Sequence, residues 1–166
     1  MDDSPLSNKV AALSLAIADA TLAQSDDLAP TAVAALITIR DQEPLSIGDI
    51  ARVVGLTHSA AVRLVDRLEK DWLVRRQRRV GREVMVEITS RGRRRAQQLQ
   101  ELRLAAVTGF LSGLDPDEQD ELNRLVDKMI RVHGRGEVDP DKFCRMCRRG
   151  ACDCGLHEAV PEAVDA

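Results

Sequence analysis

LSIGDIARVVGL at residues 45–56, THSAAVRLVDRLEKDWL at 57–73 and VRRQRRVGREVMVEITSRG at 74–92 form the stretch that decides the fold. Ser46 followed three residues later by Asp49 has the form of a capping box, which predicts a helix start. Ile50, Ala51 and Val54 give that short helix one buried face. Gly55 supplies the backbone freedom of a turn, and Thr57 caps a second helix running to Lys70. In it Val62, Leu64 or Val65, and Leu68 face inward, leaving His58, Ser59, Ala60, Arg63 and Arg67 outside or at the turn. Next, Val84, Val86 and Ile88 alternate with Met85 and Glu87 as a strand does. Pairing with Leu73–Gln77 makes a hairpin whose tip carries Arg78, Arg79 and Arg82.

Helix, turn, helix and hairpin in this order predict a winged helix-turn-helix, a module that places one helix in a DNA major groove. The chain is read as mainly α with a small β-hairpin wing. The charge distribution agrees. Between Leu73 and Arg95 nine arginines face only Glu83 and Glu87, a local +7 in a chain of net charge −3, so the remainder stands at −10. A basic stripe on an acidic body turns one face towards phosphate.

Working outward, Leu6, Val10, Leu13, Ile17 and Ala20 repeat at helical spacing and predict a first helix from Pro5 to about Gln24. Asp26 or Asp27 is placed to cap a second, from about Leu28 to Arg40, with Val33, Leu36 and Ile37 inward. Beyond the hairpin, Ala96, Leu99, Leu102, Ala106 and Phe110 mark a helix from Arg93 to about Gly113. Asp115-Pro116-Asp117-Glu118 is a strong start for a last helix lined by Leu122, Leu125, Val126, Met129 and Ile130, stopping before Gly134. Apolar stripes at both ends of a chain with so small a central module predict burial against a second copy, a homodimer. The organisation is therefore a dimerisation helix over 1–27, the DNA-binding domain over 28–92, further dimerisation helices over 93–133 and a cysteine-rich tail over 134–166.

No basic segment followed by an apolar run opens the chain, and no apolar run reaches bilayer length, so the cytoplasm is expected. An enzyme is not: His58, His133 and His157 are scattered over the DNA face, a helix end and the tail, and no triad or phosphate loop appears. Asp66, Glu69 and Asp71 read as helix-surface charges.

For DNA, His58, Ser59 and Arg63 are the candidates at base edges, with the capping Thr57 beside them on the DNA-binding face, Arg63 being able to grip guanine through two hydrogen bonds. Arg67 and either Arg75 or Arg76 are expected on phosphates, and Arg78, Arg79 and Arg82 in the minor groove. The competing reading of Arg67 is an ion pair with Asp66 or Glu69, and that of His58 a plain helix-start residue. In a dimer two such helices enter major grooves ~34 Å apart, so a pseudo-palindromic operator is expected.

All four cysteines fall in the tail, as Cys144-x₂-Cys147-x₄-Cys152-x-Cys154, followed by His157. Four thiolates, or three and the imidazole, satisfy one tetrahedral zinc per chain. Arg145, Arg148 and Arg149 are expected to lower the thiol pKa values. A structural zinc knuckle, a thiol sensor of oxidants or soft metals, and a disordered tail with unused thiols are the three readings.

The chain resembles the MarR family of bacterial transcriptional regulators over about residues 5–133. The residues that carry the likeness are Leu64-Val65-Asp66-Arg67-Leu68-Glu69, Leu73-Val74-Arg75-Arg76 and Val86-x-Ile88-Thr89-x-x-Gly92. The resemblance implies that 57–70 is the recognition helix, the hairpin a wing and the terminal helices a dimer interface. It also implies a repressor that releases DNA when a small, often aromatic molecule or an oxidant acts on it. Two departures stand out. The family's Asp-Arg-Arg at the wing turn is here Val80, Gly81 and Arg82, and Trp72 stands where a glycine often ends the recognition helix. A tryptophan is expected to be packed. The other class of function is a winged-helix module for protein–protein assembly with a structural zinc tail.

Overall fold

The computed structural model describes residues 4–23, 28–77, 83–134, 139–152 and 154–156. The elements run α1 (Pro5–Leu22), α2 (Pro30–Gln42), β1 (Leu45–Ser46), α3 (Ile47–Val54), α4 (His58–Lys70), β2 (Val74–Arg76), β3 (Met85–Ile88), α5 (Ser90–Leu111), α6 (Pro116–Gly134) and the single turn α7 (Pro140–Phe143). A 3-10 turn follows at Arg149–Ala151. The fold is mostly helical around a three-stranded antiparallel sheet in the order β1-β3-β2.

The helix-turn-helix forms where the capping residues predict it. The Ser46 hydroxyl accepts from the Asp49 amide at 3.0 Å and donates to the Asp49 carboxylate at 2.7 Å. Gly55 closes α3 with φ 71°, a conformation open to glycine at little cost. Thr57 then accepts from the Ala60 amide and starts α4. Ala61, Val65 and Leu68 are the fully buried face of α4, whereas Val62 and Leu64 are half-buried against the same core.

The hairpin pairs Val74 with Ile88, Arg75 with Glu87 and Arg76 with Val86. Its third strand was not predicted: Leu45 and Ser46 lie beside Val86 and Met85. Two residues carry no readable alternation, so only the long-range pairing reveals them. The arginines of the wing tip, Arg78, Arg79 and Arg82, lie outside the described residues.

Gly92 ties the wing to α5. A Cβ built there would sit 1.9 Å from the Leu73 carbonyl oxygen, so the first turn of α5 touches the strand through its glycine. Thr89, at the N-cap, donates its hydroxyl to the carbonyls of Trp72 and Leu73 and accepts from the Gly92 amide. The Thr89-x-x-Gly92 spacing is thus a helix cap combined with a close approach.

α2 is the centre of the core. Every residue from Ala32 to Ile39 is buried, so it lacks the one-sided face read from the sequence. It starts at Pro30, with Ala29 at the N-cap and no side chain capping it. Proline at the first helical position fixes this start, two residues later than predicted. The expected caps, Asp26 and Asp27, lie outside the described residues.

α5 begins at Ser90, three residues before the expected Arg93, because Thr89 caps it. It carries both α1 and α2 on its flank. α6 starts as read, with Asp115 and Glu118 exchanging reciprocal hydrogen bonds of 2.9 and 3.0 Å. Neither α1 nor α6 buries a residue within this chain, and Leu6, Val10, Leu13, Leu125, Val126, Met129 and Val132 are all exposed. Among the described residues no helix is long and apolar enough to cross a membrane.

Candidate nucleic-acid interface and cysteine cluster

α4 is held from behind and open in front. Its inner face sits on α3 and β2. Thr57, His58, Ser59, Arg63 and Arg67 are all exposed on the other side. Ala60 and Ala61 keep the first turn slim, so the helix start is sterically free to approach a groove edge. Arg67 does not take the ion pair weighed for it. Asp66 and Glu69 instead hold Arg76, which bonds Asp66 at 2.6 Å and Glu69 through both its guanidinium and its backbone amide. Burial alone would lower the pKa of Arg76, but the hydrogen bonds from Asp66 and Glu69 outweigh it and raise the value. Arg76 therefore ties the base of the wing to α4, a different job from the phosphate contact expected of it. Asp66 and Glu69 are its partners rather than idle surface charges. Arg75 pairs with Glu87 across the hairpin at 2.9 Å yet stays 67% exposed, so its guanidinium still reaches solvent.

Arg67 lines a cleft of about 490 Å³ together with Asp71, Arg91, Arg94 and Arg95. The N-terminal turns of α5 thus add three guanidinium-bearing positions beside the end of α4. The sequence counted these arginines in the basic stripe without seeing that helix spacing turns them to one cleft. Trp72 corrects an expectation. It is 74% exposed, with φ 61°, immediately after α4. The chain keeps the left-handed turn that a glycine would adopt and pushes the indole into solvent.

The cysteine segment is not a loose tail. Cys144 and Cys154 are buried, Cys147 half-buried and Cys152 exposed, and all four are free thiols. All four line one cavity of about 50 Å³ with Arg149 and Gly155. His157 lies outside the described residues, so the fifth expected ligand has no described position. Among the described residues no set of three or more His, Cys, Asp or Glu side chains is already arranged to hold an ion. The expected acidifying effect of the arginines is overturned. Burial pushes the Cys144 thiol up to about 12, and the neighbouring Cys147 and Cys154 thiols add to it. Burial likewise raises Cys152. Arg145 and Arg149 have other partners: the first donates to the Lys142 carbonyl at 2.6 Å, the second to Asp141 at 2.9 Å.

The segment docks on the back of the helix-turn-helix. Arg52 of α3 bonds Asp139 and, at 3.2 Å, Asp141, and Asp141 also accepts from Gln42 at 3.0 Å. The loop between the first two cysteines offers its carbonyls inward. Thr38 of α2 donates to the Arg145 carbonyl at 3.3 Å, and Gln100 of α5 to that of Met146 at 3.3 Å. Thr38 and Gln100 are each 2% exposed, polar groups buried in an apolar core whose partners are this loop.

A model of the MarR family matches residues 28–81, from the start of the core helix to the wing turn. Over these residues the chain is similar to the MarR family. Solved structures extend the likeness. A MarR family protein from Bacillus stearothermophilus is 20% identical, with a TM-score of 0.71 over 78% of this chain and 94% of the other. RV1404 from Mycobacterium tuberculosis is 25% identical, with a TM-score of 0.64 over 79% and 91%. The M. tuberculosis MarR family protein RV2887, solved in complex with salicylic acid, is 25% identical, with a TM-score of 0.60 over 77% and 98%. No curated protein matches the sequence.

Proposed function

We propose that the chain is a dimeric, DNA-binding transcription regulator that represses from a pseudo-palindromic operator. The observation that carries this reading is the exposed face of α4, with Thr57, His58, Ser59, Arg63 and Arg67 outward beside the arginine cleft, on a chain whose net charge is otherwise acidic. Arg63 reads a base edge. Arg67, Arg75 and the arginines at the start of α5 neutralise phosphates, with Arg78, Arg79 and Arg82 of the wing in the adjacent minor groove. The partner is a second copy of the chain, because α1 and α6, near the two ends of the sequence, leave apolar rows exposed. MarR regulators act as dimers, and that arrangement spaces two recognition helices ~34 Å apart. The test is titration of a duplex carrying the promoter of the chain's own gene across salt concentrations. Tight binding that weakens steeply with salt supports the reading. Salt-insensitive or absent binding overturns it in favour of a module docking on an acidic protein.

Release is proposed to work through a pocket between α1, α2 and α5. Ile17, Leu22, Val33 and Leu99 line a cavity of about 310 Å³, with Arg103 at its edge and Met146 against it. Apolar walls with one cation suit an aromatic carboxylate, the chemistry of the salicylic acid bound by RV2887. Salicylate should lower operator affinity of the native chain and leave the Arg103→Met variant unaffected. Equal release of both excludes this pocket.

A further inference from the structure

We propose that Cys144, Cys147, Cys152 and Cys154 form a tetrathiolate site for one thiophilic divalent cation, zinc above all, and that its occupancy clamps the segment from Asp139 to Cys154 onto the back of the helix-turn-helix. The clause about the helix-turn-helix rests on the DNA-binding reading above; the metal site does not.

Three independent observations support the site. The first is convergence: a sequence of Cys-x₂-Cys-x₄-Cys-x-Cys could splay its side chains, yet all four line one small cavity. That space, about 50 Å³, exceeds what one water needs, so the cysteine side chains must close inward for four sulfurs to reach one ion. Zn–S bonds of ~2.3 Å put neighbouring sulfurs a little under ~4 Å apart, the separation at which thiols also hydrogen-bond one another. The second is backbone preorganisation. The Cys147 amide donates to the Cys144 carbonyl at 3.0 Å, closing a turn around the Cys-x₂-Cys pair, and the Arg149–Ala151 turn brings the second pair back. Cys144 and Cys154 are the fixed inner ligands. Cys152 is exposed and Cys147 half-buried, so these two have the rotamer freedom to close on an ion. The third is charge. Loading releases four thiol protons to solvent and leaves a site of charge −2, with the Arg149 guanidinium in its wall.

The clamp follows from what the segment touches. Thr38 and Gln100 find their partners in the carbonyls of Arg145 and Met146, between the first two cysteines. Loss of the loop would take away the acceptors of the Thr38 hydroxyl and of the Gln100 amide NH2, while Gln100 Oε1 keeps its bond from Arg40. Arg52 links the same segment to α3, which packs directly on α4. An ion that fixes the four sulfurs fixes these contacts together, and metal binding to a preformed site stabilises the state that contains it.

The experiment uses the full chain, reduced and stripped with a chelator, and cobalt(II) as the probe. Thiolate-to-cobalt charge-transfer and tetrahedral d–d bands should saturate at one ion per chain and be displaced by zinc(II). Zinc should also shield all four thiols from alkylation. Cys152→Ser, an exposed position that leaves the core intact, should shift the cobalt spectrum and weaken binding, while its circular dichroism stays native. Octahedral cobalt spectra, unshielded thiols or an unaltered Cys152→Ser titration would overturn the site. Operator affinity is then compared with and without zinc, where loss of about tenfold in the metal-free chain is expected for coupling of ordinary size. Equal affinities would overturn the clamp while leaving both the metal site and DNA binding standing. Absent DNA binding with intact cobalt spectra would refute only the DNA reading.

Discussion

The two helices of the helix-turn-helix are treated in opposite ways by the rest of the chain. α3 is gripped on both sides, by α2 and α4 within the core and by the cysteine segment outside it, where Arg52 is engaged by two aspartates. α4 is gripped on one side only, and its outer residues from Thr57 to Arg67 face solvent. The difference separates a helix held by many partners from one whose polar atoms are left open, and under the proposed function the first positions and the second reads. Even the charges follow this division. Asp66 and Glu69, on α4, are both paired with Arg76 of the wing base, which offsets one of their two negative charges beside Arg63 and Arg67.

The sharpest way to break the comparison is to remove the grip on α4 itself. Leu68 is fully buried between α4 and the core. Leu68→Ala should cost about 2–5 kcal/mol of stability through lost burial and a residual cavity, read as an earlier urea midpoint with an unchanged slope. Operator affinity measured on the remaining folded fraction should stay near native. A large affinity loss in folded protein would mean that the inner face also sets the outer one.

Next in size is the outer face. Arg63→Ala should leave the urea midpoint within the spread expected of an exposed position and weaken operator binding by about 1–3 kcal/mol, with relaxed discrimination at one base pair. A uniform loss across operator variants would instead put Arg63 on a phosphate.

How much of this was readable follows the range of the interactions. Ser46, Gly55 and Thr57 act within three or four residues of themselves, so their capping and turn roles were visible in the sequence, and so were the strand faces around Val86, whereas Thr89 also bonds the Trp72 and Leu73 carbonyls and its cap was not read. The strand at Leu45–Ser46, the partner of Arg76 and the docking of the cysteine segment depend on pairs far apart in the chain; Thr38 and Arg145 are separated by 107 residues. Local pattern has no access to such pairs. One signal was nevertheless present: Thr38 interrupts an otherwise apolar run from Ala32 to Ile39, and a polar residue in a buried helix implies a partner. The cysteines showed the opposite. All four line one cavity, but Arg145, Arg148 and Arg149 suggested acidic thiols, because sequence proximity of charge says nothing of burial, which dominates at Cys144.

A smaller effect is expected where the two helices end. α3 closes on Gly55 at φ 71° and α4 is followed by Trp72 at φ 61°, so the same turn is made once by the residue suited to it and once by one that is not. With the indole 74% exposed, little packing is lost on removing it. Trp72→Gly should therefore stabilise the fold by about 1 kcal/mol, the relief of left-handed strain less the entropy glycine adds to the unfolded chain. Thermal unfolding reads this directly. A lower midpoint would show that the indole contributes contacts that outweigh its backbone strain.

The smallest effect concerns the grip on α3, and its sign can be worked out for pH. Burial would raise the Asp141 carboxyl, but hydrogen bonds from Arg149, Arg52 and Gln42 outweigh it and hold the group below its ordinary 3.8. A carboxylate whose folded pKa is depressed binds fewer protons than the unfolded chain, so its contribution is complete above the unfolded value and is lost as pH falls through the folded one. The difference in urea stability between the native chain and Asp141→Asn, measured with chelator present, should thus stay level from neutral pH down to about pH 4 and shrink below it. Arg52 is 48% exposed, which limits its own share to at most about 1 kcal/mol, so Arg52→Ala should remove only part of that difference. A gap that widened on acidification would mean that Asp141 is held as a neutral acid, and that α3 is gripped by packing and the loop carbonyls rather than by its ion pairs.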